Sequence, residues 1–151
     1  MNKYKSVAVF LVYKDEVLML NRNKKFWMGM WNCVGGKIEK NESQSNGAGA
    51  YIANGGKAYL NNGTISSNKA NGTNSNGAAI YLENGAYLEN KNVTISSNEA
   101  SQNGAGIYIA NGAEVLISGG MIINNTTTNG NGAGLYVHSN GMLTMQNGTT
   151  T

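Results

Sequence analysis

The sequence predicts an all-β chain: a short right-handed parallel β-helix, a solenoid of about three and a half rungs, preceded by a β-hairpin segment. Three observations lead there. One phrase returns at a nearly fixed interval, beginning at Asn46, Asn76, Asn103 and Asn131, with spacings of 30, 27 and 28 residues. Its four forms are NGAGAYI, NGAAIYL, NGAGIYI and NGAGLYV. Within each copy apolar and polar positions alternate, as they do in a strand with one buried face. Each copy is also broken by an Asn-Gly pair, which suits a tight turn because both residues tolerate positive φ. Short strands and corners at a period of about 28 residues describe one turn of a coil. A single turn cannot bury its apolar face, whereas stacked turns can. A β-sandwich also has short strands, but it gives no reason for identical offsets from copy to copy.

Composition divides the chain near Ser43. Residues 1–43 carry eight Lys or Arg against four Asp or Glu, whereas residues 44–151 carry three against four. Both Trp and both Phe lie before the division, and 18 of the 21 Gly lie after it. The expected units are therefore 1–43 and 44–151, the second divided into repeats 46–75, 76–102, 103–130 and 131–151. The pI of 9.0 belongs to the first unit, so the repeats present no basic surface for nucleic acid. One Cys allows neither a disulfide framework nor a multi-Cys metal site. No apolar stretch approaches the ~20 residues of a membrane helix, so no membrane insertion is expected.

In the first unit, Ser6 to Tyr13 is rich in β-branched and aromatic residues, Lys14-Asp15-Glu16 is a polar turn, and Val17 to Leu20 is a second strand. This predicts a hairpin. The apolar run is too short and too soon interrupted by charge to be an export signal; the expectation for the chain as written is cytoplasmic, with the location left open. An aromatic cluster, Phe26 to Trp31, then leads into Val34-Gly35-Gly36-Lys37-Ile38-Glu39 and Glu42.

These residues resemble the opening of a Nudix hydrolase of the oxidised-nucleotide diphosphatase type, whose box reads G-x5-E-x7-R-E-U-x-E-E-x-G-U (U is a bulky apolar residue). Gly36 stands at the first Gly and Glu42 at the first Glu, with Glu39 in the loop between them. The resemblance implies, as the alternative reading, an Mg²⁺-dependent hydrolase of nucleoside di- or triphosphates. The box is truncated, however. Its Arg-Glu would fall at Ala50-Tyr51 and its Glu-Glu at Asn54-Gly55. A hard cation needs several oxygen ligands, usually carboxylates, and it is the cation that neutralises the phosphate charge. The expectation is therefore a remnant loop with no catalytic residues and no cofactor. The abrupt junction reads as a chimera of two unrelated sequences.

In the second unit, counted from each leading Asn, offset four holds Ala50, Ile80, Ile107 and Leu135, and offset six holds Ile52, Leu82, Ile109 and Val137. Between them Tyr51, Tyr81, Tyr108 and Tyr136 point outward as a ladder. A second strand follows the turn with Ala58, Leu88 and Val115, and a third carries Ile65, Ile95 and Ile122. Asn68, Asn98 and Asn125 share the corner after it and predict a structural hydrogen-bonded ladder. The repeats resemble those of bacterial cell-surface and adhesin-like β-helix proteins. That resemblance implies a non-catalytic structural or interaction module, displayed at a cell surface or secreted.

No Asp follows Asp15 and no Arg follows Arg22, which removes acidic Ca²⁺ repeats and basic clamps from the coil. Glu89 and Glu114 fall on adjacent rungs at roughly 8 Å, within the ~6.5–9.5 Å spacing of inverting glycosidases, but without supporting aromatic platforms they read as solvated surface. His138 shares an offset with Glu83 two rungs away and reads as a strand-end residue. The tyrosine ladder is the candidate binding face, for glycan or protein. The incomplete last rung predicts fraying or end-to-end self-association.

Overall fold

The computed structural model describes residues 37–146 in full, and the backbone of 9–13 and 16–20. Every regular element in them is a strand: β1 Val9–Tyr13, β2 Glu16–Leu20, β3 Lys37–Glu39, β4 Glu42–Ser43, β5 Ala50–Ile52, β6 Lys57–Ser66, β7 Lys69–Ala70, β8 Ile80–Leu82, β9 Tyr87–Ser96, β10 Glu99–Ala100, β11 Ile107–Ile109, β12 Glu114–Ser118, β13 Met121–Ile123, β14 Thr126–Thr127, β15 Leu135–Val137 and β16 Met142–Met145.

Apart from the antiparallel hairpin β1–β2, all pairing is parallel, and each strand lies against its equivalent one turn later. One four-stranded sheet runs β15-β11-β8-β5 and another runs β14-β10-β7-β4. The third sheet runs β1-β2-β6-β9-β12-β16, with β3 also paired to β6 and β13 to β9. The chain is thus a parallel solenoid of about four turns. Equal offsets become columns: Ala50, Ile80, Ile107 and Leu135 face one another in sequence, as do Tyr51, Tyr81, Tyr108 and Tyr136. The inward columns make one core in which Ile52, Ile65, Ile80, Leu82, Leu88, Ile95, Ile107, Ile109 and Ile117 are almost completely buried. Between the sheets carrying β7–β10 and β8–β11, Ala70, Ala78, Ala100 and Ala105 form a second small buried cluster.

Three details depart from the expected layout. The second and third strands of each repeat are continuous in β6 and β9, which bend at Asn62 (φ 57°) and Asn92 (φ 54°). They separate into β12 and β13 only where Gly119 and Gly120 both take positive φ (82° and 87°), which interrupts the ladder. In the Asn-Gly turns only the glycine is left-handed. The Gly56 N–H donates to the Ala53 carbonyl at 2.8 Å, which makes Gly55 (φ 69°) the third residue of a β-turn. That position demands positive φ. In the last turn the Gly141 N–H closes on His138 at 2.9 Å, so Asn140 (φ 56°) takes the third position itself. This explains why its Asn-Gly pair arrives one residue late.

Parallel pairing also begins earlier than Asn46. Lys37, Ile38 and Glu39 pair with Thr64, Ile65 and Ser66, and Glu42 and Ser43 pair with Lys69 and Ala70. Lys37–Ser43 therefore lies on the solenoid as the closing part of a turn, and Lys40 (φ 59°) repeats the left-handed conformation of Ser67, Ser97 and Asn124 at the same column. The hairpin sits beside it. Glu16 pairs in parallel with Lys57, so β2 lies along the edge of β6 where a preceding turn would lie. An unpaired sheet edge is a template for association, and the hairpin covers part of this one. Of the expected charged turn, Glu16 instead opens β2; Lys14, Asp15, the aromatic cluster and Gly36 lie outside the described residues.

Candidate functional site

The tyrosine column lies on the outer face of β5, β8, β11 and β15. Because the strands are stacked in register, the rings stack as well. Centroids are 5.2 Å apart for Tyr51–Tyr81, 4.9 Å for Tyr81–Tyr108 and 5.2 Å for Tyr108–Tyr136, with interplanar angles of 17°, 9° and 12°. Tyr81 and Tyr108 therefore spend both ring faces on their neighbours, whereas Tyr51 and Tyr136 each stack on one tyrosine. Between rungs the column adds ring–ring attraction to the backbone pairing.

Two residues beyond each tyrosine, the strand ends in a second column: Ala53, Glu83, Ala110 and His138. Glu83, Ala110 and His138 are equivalent, since their N–H groups donate to Ile52, Leu82 and Ile109 at 2.9, 3.1 and 2.8 Å. Glu83 acts as a clamp between turns. One carboxylate oxygen accepts the Tyr51 hydroxyl in a short hydrogen bond, and the other accepts the Asn54 N–H at 2.8 Å. Burial, with the Glu83 carboxylate alongside, pushes the Tyr51 phenol far above its ordinary value. Burial also raises Tyr81, with Glu83 adding to it, and raises Tyr108, with its two neighbouring tyrosines adding to it. These phenols stay neutral donors across any physiological range.

Below Glu83 the column holds Ala110, and the missing side chain leaves a notch. It opens into a cleft of about 360 Å³ lined by Tyr81, Glu83, Asn84, Tyr108, Ala110, Asn111 and His138, with Asn54 at the rim. His138 closes the far side, its ring tilted 49° to Tyr108 at a centroid distance of 6.5 Å. The sequence reading singled out the tyrosines and compared Glu83 with His138, but it missed both the clamp and the notch. The signal was the Ala-Glu-Ala-His column itself, in which a small residue separates two long ones.

Two asparagine columns support this face. Asn68, Asn98 and Asn125 are buried at the corner before β7, β10 and β14. The Asn68 amide donates to Asn98 Oδ1 at 2.9 Å and to the Ile38 carbonyl at 3.1 Å, and the Asn98 amide donates to Asn125 Oδ1 at 2.8 Å and to Ile65 at 3.1 Å. Each Oδ1 also accepts the backbone N–H of the preceding asparagine, at 3.0 Å in both cases. Asn41 joins from below at 2.8 Å. The repeat-leading asparagines form the second column. Asn46 Oδ1 accepts the Asn76 N–H at 2.7 Å, Asn76 Oδ1 accepts Asn103 at 2.9 Å, and Asn103 Oδ1 accepts Asn131 at 2.9 Å.

The carboxylates considered for chemistry are dispersed. Glu39 and Glu42 stand exposed on β3 and β4. Glu89 is paired with Lys91 at 2.6 Å, and Glu114 lies opposite Tyr87 on the neighbouring strand. Among the described residues no three His, Cys, Asp or Glu come together as a metal-binding group.

A model of the family described as the right handed beta helix region matches residues 19–150. No match was found among curated proteins or among solved structures. Parallel sheets stacked turn upon turn, together with a family match over most of the length, show that the chain belongs to the right-handed β-helix family.

Proposed function

We propose that this solenoid is a non-catalytic structural and interaction module of the adhesin-like, surface-displayed kind, and that it holds a glycan against its tyrosine face. The observation that carries the reading is the tyrosine column beside the row of turn asparagines. Four hydroxyls are held at fixed spacing by stacked rings, and the carboxamides of Asn54, Asn84 and Asn111 flank a cleft on the same edge. Stacked rings lose little conformational freedom on binding, so a partner meets a pre-organised row of donors and acceptors.

The test is affinity of the full chain for a panel of neutral and acidic polysaccharides, compared with a Tyr81→Phe/Tyr108→Phe double variant. Phenylalanine keeps the stack and removes the hydroxyls. Binding weakened by about tenfold or more in the variant supports the reading. Failure to bind any member of the panel, or an unchanged affinity, overturns it.

A further inference from the structure

We infer that the notch over Ala110 is a seat for one neutral, hydroxyl-rich sugar ring, gripped between the Glu83 and His138 walls. This rests on the reading of the tyrosine face as a glycan-binding face and names the place on it where recognition is concentrated.

The hydroxyl pattern along the column points to the notch. Tyr51 reaches the residue two positions on in the next turn, where the Glu83 carboxylate accepts a hydrogen bond from its hydroxyl. For Tyr81 the equivalent residue is Ala110, which has no side-chain acceptor to offer. A ligand oxygen placed there would stand where the Glu83 carboxylate stands for Tyr51. Glu83 itself accepts two hydrogen bonds from the protein, and a carboxylate has about four lone-pair sites, so it can still accept from a ligand hydroxyl. Asn84 and Asn111 each bring an amide that donates and a carbonyl that accepts. The cleft is about 360 Å³, near the lower end of the ~300–1,000 Å³ range of small-molecule sites.

The same lining excludes other classes. Among the described residues no Lys or Arg faces the cleft, so a phosphate, sulfate or carboxylate meets Glu83 there without a counter-charge. The faces of Tyr81 and Tyr108 are covered by each other and by their neighbours, so neither a flat aromatic ring nor a quaternary ammonium can stack there. Hydroxyl groups, which both donate and accept, match what remains.

The test uses the full chain, amide chemical-shift mapping with glucose, galactose, N-acetylglucosamine and glucuronate, and the variant Ala110→Gln. The column already accommodates Glu83 and His138 at this position, so glutamine fits the backbone and fills the notch. The expected result is saturable shifts at Asn84, Ala110 and Asn111 with at least one neutral sugar, abolished in Ala110→Gln. Polysaccharide affinity should then fall by about tenfold in the same variant. Polysaccharide binding that is unchanged in Ala110→Gln overturns the seat and leaves the tyrosine face standing. Glucuronate binding more tightly than glucose overturns the neutral class. Absence of binding to every sugar and every polysaccharide overturns both the seat and the face.

Discussion

Asn90 occupies a place that its column gives to hydrophobic residues, between Leu60 in the preceding turn and Ile117 in the next. Its side chain is fully buried, its Oδ1 accepts the Val93 N–H at 3.3 Å, and its amide NH₂ has no partner among the described residues. An unsatisfied buried donor costs about 1–3 kcal/mol, more than one long hydrogen bond returns. Asn90→Leu should therefore raise stability by about 1 kcal/mol, read as a higher midpoint in urea at unchanged slope. The corner asparagines should behave in the opposite way. Asn98→Ala removes an acceptor from two donors of Asn68 and leaves Asn125 Oδ1 without its side-chain donor, all inside the core. A loss of about 3 kcal/mol is expected in the same assay. The corner column was legible in the sequence because its asparagines recur at one offset. Asn90 was not, because it occurs once in a column otherwise apolar. Nor was the contact of Tyr51 with Glu83, which crosses both a turn and two offsets.

The tyrosine-bearing strands show how an element reads at its own scale. Alternation predicted β5, β8 and β11 with their inward and outward faces, and a period-two pattern needs no tertiary knowledge. The division of β12 from β13 needed the backbone angles of Gly119 and Gly120, which a glycine permits but does not announce. Replacing one ring tests the stack: Tyr108→Phe should be nearly neutral, whereas Tyr108→Ala removes two ring contacts at about 0.5–1.5 kcal/mol each and should lower the thermal midpoint by several degrees. The raised phenol pKa values fix a pH dependence. Below pH 10 the tyrosines are neutral in both the folded and the unfolded chain, and stability should be flat on their account. Above it the unfolded chain ionises first, near the ordinary value of about 10, while Tyr51, Tyr81 and Tyr108 hold their protons in the fold. Unfolding free energy should then fall as pH rises. Denaturation measured from pH 8 to 12 checks the sign, and a curve that rises above pH 10 would refute it.

Across the whole molecule, protection should follow position in the stack. The central turns have a neighbour on both sides, whereas among the described residues the turn carrying β15 and β16 exposes residues whose equivalents are core: Val137 and Met145 are each 41% exposed. Amide exchange should be slowest in β9 and β12 and fastest in β15 and β16, because each turn is stabilised only by those it touches. The architecture itself was legible, since a 27–30-residue period with fixed offsets admits few other folds. The start of parallel pairing at Lys37 was not. KIEKNES follows the same pattern as TISSNKA and TISSNEA, with the isoleucine and the asparagine in place, but its charged residues belong to the composition of the segment before it.

The two asparagine columns have a consequence for length. In the corner column the amides of Asn68 and Asn98 each donate one N–H to the following turn and the other to a carbonyl of the preceding turn, whereas in the repeat-leading column the amides of Asn76 and Asn103 reach the preceding asparagine. The carboxamide oxygens of the two columns face opposite ways along the coil axis, toward the preceding turn in the corner column and toward the following turn in the repeat-leading one. In an α-helix aligned dipoles leave about half a charge at each end. Here the two rows oppose one another, so each further turn that carries both asparagines adds a side-chain dipole of each sense.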